Sequence, residues 1–267
     1  MDIRGWGAKT LLKDKANQQY FQRLNAEIPD YPGPSFSNIE LDIPRVFNCG
    51  DRIISTDARA KMLPILKAYF KRNATIGYWQ WMGYVAGILS RQMSEEQAFW
   101  VMWMLIECIL LSDYYTQNIT GVLVDIEWYN ELLELFLPKV KRQLDKNLVT
   151  SIEYIPKWFS CWYANIFPFQ VVEKVWDFMF WQGMIIIYKV ALALMSLMSN
   201  DILNKWKDQE DFHWLLNNFP ESLSDPYVLI NEMSKFEITH TTIRNLRKKH
   251  NKEIYWNYDK VQLQLYK

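Results

Sequence analysis

Apolar residues along this chain recur at helical period. Between Asp57 and Arg72, the residues Met62, Leu66, Tyr69 and Phe70 fall at i, i+4, i+7 and i+8, which is one face of an α-helix. Pro64 interrupts the stretch, so the helix either begins near it or bends there. Ser94, followed three residues later by Gln97, forms a capping box ahead of the apolar run Phe99 to Leu111. Asp125 can cap a helix carrying Trp128, Leu132 and Phe136, which Pro138 then ends. Pro168 suits a first helical position, and Phe169, Val172, Trp176 and Phe180 follow it as an apolar stripe. Strand alternation is rare, and no Asn-Gly or Asp-Gly hairpin signal occurs. The stretch Tyr31 to Ser37, with Pro32, Gly33 and Pro34, reads as a loop. A soft boundary between two helical blocks lies near residues 116–124. The pattern predicts an all-α protein.

Composition narrows the class. Half of the 267 residues are hydrophobic and 22% are charged, a globular balance with ample length for a core. The 30 basic and 30 acidic side chains cancel. This gives no electrostatic drive toward nucleic acid or an acidic membrane. Thirteen Trp, 14 Phe and 15 Tyr predict bulky packing between helices, with Trp158, Trp176 and Phe180 in the core. Cys49, Cys108 and Cys161 are odd in number and widely spaced, which disfavours a disulfide framework and favours a reducing compartment. With His213, His240 and His250 they form no metal-ligand spacing. No apolar run follows the N-terminal basic residues, so no signal peptide is expected. Phe99 to Leu111 is too short for the ~20 residues of a membrane span. Phe178 to Met198 carries Gln182 and Lys189, so it is expected to be buried in protein.

Two short motifs carry chemistry. Ile39, Asp42 and Arg45 fit I-x-x-D-x-x-R, and Tyr78 and Gln80 fit Y-x-Q. Asp42 lies one helical turn before Arg45 and can orient its side chain. Pro44 stiffens the backbone between them. The Gln80 amide can both donate to and accept from a water. Taken singly, the first motif also reads as a surface ion pair and the second as a turn at a helix start.

In this order, the motifs resemble the catalytic fingers of TBC-domain Rab GTPase-activating proteins. The likeness continues through Ile76 to Gly87, Glu96-Gln97-Ala98-Phe99-Trp100, Pro156-Lys157-Trp158-Phe159, Val175-Trp176-Asp177, Gly183 and Val190-Ala191-Leu192-Ala193. It covers about residues 36–200, and more loosely extends to His250. The resemblance implies a two-lobed, multi-helix domain. Residues 1–120 would form an N-terminal lobe with both fingers, 121–250 a C-terminal lobe, and 251–267 a tail. It implies that Arg45 stabilises charge on the transferred phosphoryl group and that Gln80 positions the attacking water. Asp42 and Tyr78 would support them, and Ile39 and Trp81 would meet the partner. GTP and Mg²⁺ would be carried by the partner, a Rab-type small GTPase, so the chain itself would hold no cofactor or metal. The expected setting is the cytoplasm, in vesicle trafficking, with membranes or cytoskeleton reached through partners.

The chain departs from the family pattern at informative places. Trp81 stands where the family has glycine after the glutamine, and Val46 stands where it has threonine after the arginine. The opening R-x-x-x-W element is degraded, with Ala8 at the Trp position and Trp6 displaced. Those changes motivate a rival reading: a TBC-fold scaffold of low activity within a trafficking, cytoskeletal or ciliary assembly. The basic cluster Arg244, Arg247, Lys248, Lys249 and His250 reads as a helix C-terminal end. Tyr255, Trp256, Tyr258 and Tyr266 lie beyond the family match and could dock on the domain or on a partner.

Overall fold

In the computed structural model, the described residues are 15–26, 34–47, 53–109, 114, 120–206, 208–239 and 241. None of them is in a strand. The degraded N-terminal element, Cys49, the side chain of Cys108, the basic cluster and the aromatic tail lie outside them.

The first group of helices is α1 (Lys15–Ala26), α2 (Pro34–Asp42), α3 (Thr56–Arg72), α4 (Met82–Gln92) and α5 (Glu95–Trp103). A 3₁₀ turn, Ile43–Arg45, follows α2, and a π-helical turn, Met104–Ile109, follows α5. Helix α3 is the hub, packing on α1, α2, α4 and α5. Its start is set by Ser55, whose Oγ accepts from the Ala58 amide at 3.1 Å. Pro64 therefore sits inside the helix and does not begin it. The capping box before α5 forms as expected, with Gln97 Oε1 accepting from Ser94 N and Ser94 Oγ from Gln97 N. Of the loop expected from Tyr31 to Ser37, residues 31–33 lie outside the described residues, and 34–37 are helical instead, as the start of α2.

The second group is α6 (Thr120–Phe136), α7 (Pro138–Lys146), α8 (Ile155–Ser160), α9 (Phe169–Gln182), α10 (Ile185–Leu197), α11 (Ser199–Asn204), α12 (Gln209–Ser222) and α13 (Pro226–Met233). Helix α6 begins before Asp125, which is therefore not its cap. Asp125 is fully buried and accepts a hydrogen bond from the Tyr114 hydroxyl. The apolar stretch Phe178 to Met198 is two helices, because Gly183 turns the chain at φ +72°. Among the described residues, no helix is long and apolar enough to cross a membrane.

The closest helix pairings fall within each group. One continuous cluster of buried apolar residues nevertheless runs from Phe21 to Ile238. Trp128, Trp158, Trp162 and Trp176 are among its largest fully buried members, and Trp176 donates to the Trp162 carbonyl at 2.9 Å. An aromatic contact bridges the two groups. Phe169, at the start of α9, meets the ring of Phe47 edge-on at 5.2 Å and carries the Arg91 guanidinium 3.6 Å above its own ring.

Candidate functional site

The first finger segment is the end of α2 and the 3₁₀ turn after it. Its short helix closes with the Val46 amide donating to the Ile43 carbonyl. Arg45 points into solvent, with its side chain 69% exposed, and lies 3.7 Å from the Asp42 carboxylate. An ion pair that long and that exposed adds little to stability. It does bias where the guanidinium sits. Asp42 itself is mostly covered, and the Tyr78 hydroxyl donates to it at 3.1 Å. Burial first, then the Asp42 charge, push the Tyr78 hydroxyl well above its ordinary range, so it stays a proton donor.

That Tyr78–Asp42 bond joins the two motifs, which are 36 residues apart in the chain. The second segment leaves α3 through Asn73, whose side chain accepts from the Ile76 amide and donates to Glu107. Gly77 follows at φ +71°, a conformation glycine adopts without strain. Trp79 folds back, and its Nε1 donates to the Ile76 carbonyl at 2.9 Å. Gln80 is exposed at the turn that opens α4, where its carbonyl accepts from the Gly83 amide.

Helix α4 docks on the finger turn through two glycines spaced i, i+4. A Cβ on Gly83 would lie 3.0 Å from Val46 Cγ2, and one on Gly87 would lie 2.6 Å from the Phe47 ring. Phe47 has φ +50°, and its ring is held edge-on by Tyr84 at 5.3 Å as well as by Phe169. On the other side, α3 supplies Arg59. Its guanidinium donates to the carbonyls of Ile43, Val46 and Phe47 at 2.5, 3.1 and 3.0 Å.

The structure thus brings Asp42, Arg45 and Tyr78 together, with Gln80 two residues beyond the connecting tyrosine. Ile39 is placed differently from expectation. It is fully buried in the core, on the inward face of α2, so its side chain cannot meet a partner. Trp81 is half-buried and stacked on Trp79 at 5.1 Å, with its Nε1 turned out of solvent. Arg59 and Phe47 do not stand out in the sequence. The pair Gly83 and Gly87 left one trace, a spacing that allows a helix to approach another backbone closely. No group of three or more metal-binding side chains occurs among the described residues. Burial pushes the Cys161 thiol far above its usual range, which makes it a poor nucleophile.

Fold and site together define an all-α domain in which an exposed arginine and an exposed glutamine leave two segments tied by one tyrosine–aspartate bond. The Rab-GTPase-TBC domain family matches residues 6–203, and the chain belongs to that family. TBC1 domain family member 2B of Xenopus tropicalis is 28% identical over 260 residues, covering 95% of this chain and 26% of that protein. Growth hormone-regulated TBC protein 1 of Xenopus laevis is 34% identical over 184 residues, covering 67% of this chain and 53% of the relative. The chain therefore spans about a quarter to a half of those relatives. The crystal structure of the Chlamydomonas flagellar RabGAP TBC domain superposes with a TM-score of 0.75 at 22% identity, covering 87% of this chain and 80% of that one. The Ypt/Rab-GAP domain of Gyp1p gives 0.68 at 17% identity, covering 84% and 79%. At those identities the likeness establishes the fold.

Proposed function

We propose that this protein accelerates GTP hydrolysis by a Rab-type small GTPase, with Arg45 and Gln80 as its two fingers. The observation that carries the reading is the Tyr78–Asp42–Arg45 connection, which joins both finger segments while leaving Arg45 and Gln80 exposed. GTP and Mg²⁺ arrive on the partner. The Arg45 guanidinium supplies fixed positive charge to the phosphoryl oxygens as the bond to the leaving group lengthens. Such a finger raises the rate by about 10³–10⁵. The Gln80 amide accepts from the attacking water and donates to the phosphoryl oxygen or to backbone, orienting the water in line. The chain forms no covalent intermediate and stores no cofactor, and it meets its partner in the cytoplasm or on the membranes where that partner resides.

The test is single-turnover hydrolysis across a panel of GTP-loaded Rab proteins, with and without this protein. At least one member should hydrolyse GTP a hundredfold faster or more. One observation favours a second reading. The stacked Trp79–Trp81 pair stands beside Gln80, where the family has glycine in place of Trp81. A domain that binds Rab proteins or other partners through those rings, without stimulating hydrolysis, would give binding but no acceleration in the same panel.

A further inference from the structure

We infer that Arg59 is a positioning residue for the arginine finger, acting through the backbone of the turn that carries Arg45. The inference deepens the proposed GTPase-activating reading and rests on it. The turn is short and strained where it matters. The 3₁₀ segment closes with a single backbone bond, from the Val46 amide to the Ile43 carbonyl, and Phe47 sits in the left-handed region at φ +50°. Arg45 lies in the middle of this turn with an exposed side chain whose carboxylate neighbour is 3.7 Å away. On the solvent side the Tyr78–Asp42 bond holds the residue before the turn, but it does not reach the backbone that carries Arg45.

Arg59 fixes it from behind. The guanidinium spans the turn, with Nη1 on the carbonyls of Ile43 and Val46 and Nη2 on that of Phe47. The bonded carbonyls flank Arg45 on both sides. A planar guanidinium holds the three carbonyls at fixed spacing. A lysine ammonium is a point charge on a flexible stem. Arg59 itself is anchored, since its own amide donates to Ser55 O at the capped start of α3. Catalysis by an inserted charge depends on placement, and a displacement of about 1 Å can cost about 100-fold in rate. The clamp therefore acts on turnover and leaves docking of the GTPase largely alone.

Two measurements test this on the full chain. The first needs no GTPase: hydrogen exchange of the peptide covering residues 43–47, compared with peptides from α4 and α9, in wild type, Arg59→Met and Arg59→Lys. Arg59→Met should speed exchange in the turn by about tenfold or more, leave α9 unchanged, and place Arg59→Lys in between. The second uses a Rab that responds to wild type. Arg59→Met should lower kcat of stimulated hydrolysis about tenfold or more with KM within threefold. In an Arg45→Ala background it should cost nothing further, because the residue it positions is gone. Unchanged exchange in the turn, or a loss that multiplies with that of Arg45→Ala, overturns the assignment. If no Rab responds to wild type, the activating reading fails and exchange alone judges the clamp. If Arg59→Met does not fold, Arg59→Lys carries both measurements.

Discussion

Substituting Gly87 by alanine tests whether the finger turn is set by close packing against α4. A Cβ at that position would stand 2.6 Å from Cε2 and 2.9 Å from Cδ2 of Phe47, both nearer than carbon atoms approach without displacement. The ring has little room to retreat. Tyr84 and Phe169 hold it at 5.3 and 5.2 Å, and its backbone already sits at φ +50°. Forcing a methyl into a filled site costs about 1–3 kcal/mol. Alanine in a helix interior returns about 1 kcal/mol relative to glycine. The net expectation is a loss of up to about 2 kcal/mol, read as a lower midpoint in urea unfolding with unchanged slope. Because Phe47 is two residues from Arg45, stimulated hydrolysis should fall as well. Gly83→Ala is the control. Its Cβ would meet one Val46 methyl at 3.0 Å, a contact a few tenths of an ångström can relieve, so its stability should change little. Phe47→Leu in the Gly87→Ala background should recover part of the loss, with a coupling of about 1 kcal/mol or more. A Gly87→Ala protein more stable than wild type by the propensity gain alone would refute the packing argument.

Three further outcomes are expected. Arg45→Ala and Arg45→Lys should each lose most stimulated hydrolysis while melting like wild type, since the side chain is 69% exposed; activity of Arg45→Lys within threefold of wild type would remove the finger assignment. Tyr78→Phe deletes the bond to Asp42 and should cost about 1–3 kcal/mol in unfolding experiments, with a drop in stimulated hydrolysis that shows as kcat; full activity would mean the two segments hold their places without it. Trp81→Gly removes a half-buried ring stacked on Trp79 and should cost about 1–2 kcal/mol, yet leave GTPase activation equal or higher; activity gained from an inactive wild type would decide for the scaffold reading.

Local signals in the sequence were legible where the physics was local. Ser94 and Gln97 mark a helix start because a capping box closes within four residues. Trp158, Trp176 and Phe180 read as core and are core. Asp125 misled for a clear reason. An aspartate ahead of an apolar stripe looks like a cap, and only the fold supplies the Tyr114 hydroxyl that accounts for its burial inside α6. Gly183 sits within a long apolar stretch, and periodicity gives no sign that it adopts positive φ and ends α9. At the site, Asp42, Arg45, Tyr78 and Gln80 were visible as motifs. Ile39 belongs to the same motif but serves the core, because a helix this short must bury one face to hold the turn after it. Arg59 was invisible, since its partners are backbone carbonyls, and backbone carries no residue signature.

Positions 81, 83 and 87 at this site differ in physical weight. At Gly87 a Cβ would press on the Phe47 ring, so the domain itself constrains that position, whereas at Gly83 the one Val46 methyl at 3.0 Å can give way. Position 81 precedes the same helix, and there the indole stacks on Trp79 at 5.1 Å while its buried Nε1 finds no hydrogen-bond partner. The domain's packing therefore admits an indole at 81, at the expense of one unpartnered donor. Under the proposed function, Trp81 would act on docking and on the freedom of Gln80, while the turn that carries Arg45 is held by Arg59 on one side and by Phe47 on the other. Partner-free measurements on the turn and hydrolysis measurements with Rab proteins consequently report on separable properties. A protein with an intact clamp and no stimulated hydrolysis would retire the activating reading, and recovery of hydrolysis in Trp81→Gly would then assign the loss to the Trp79–Trp81 pair.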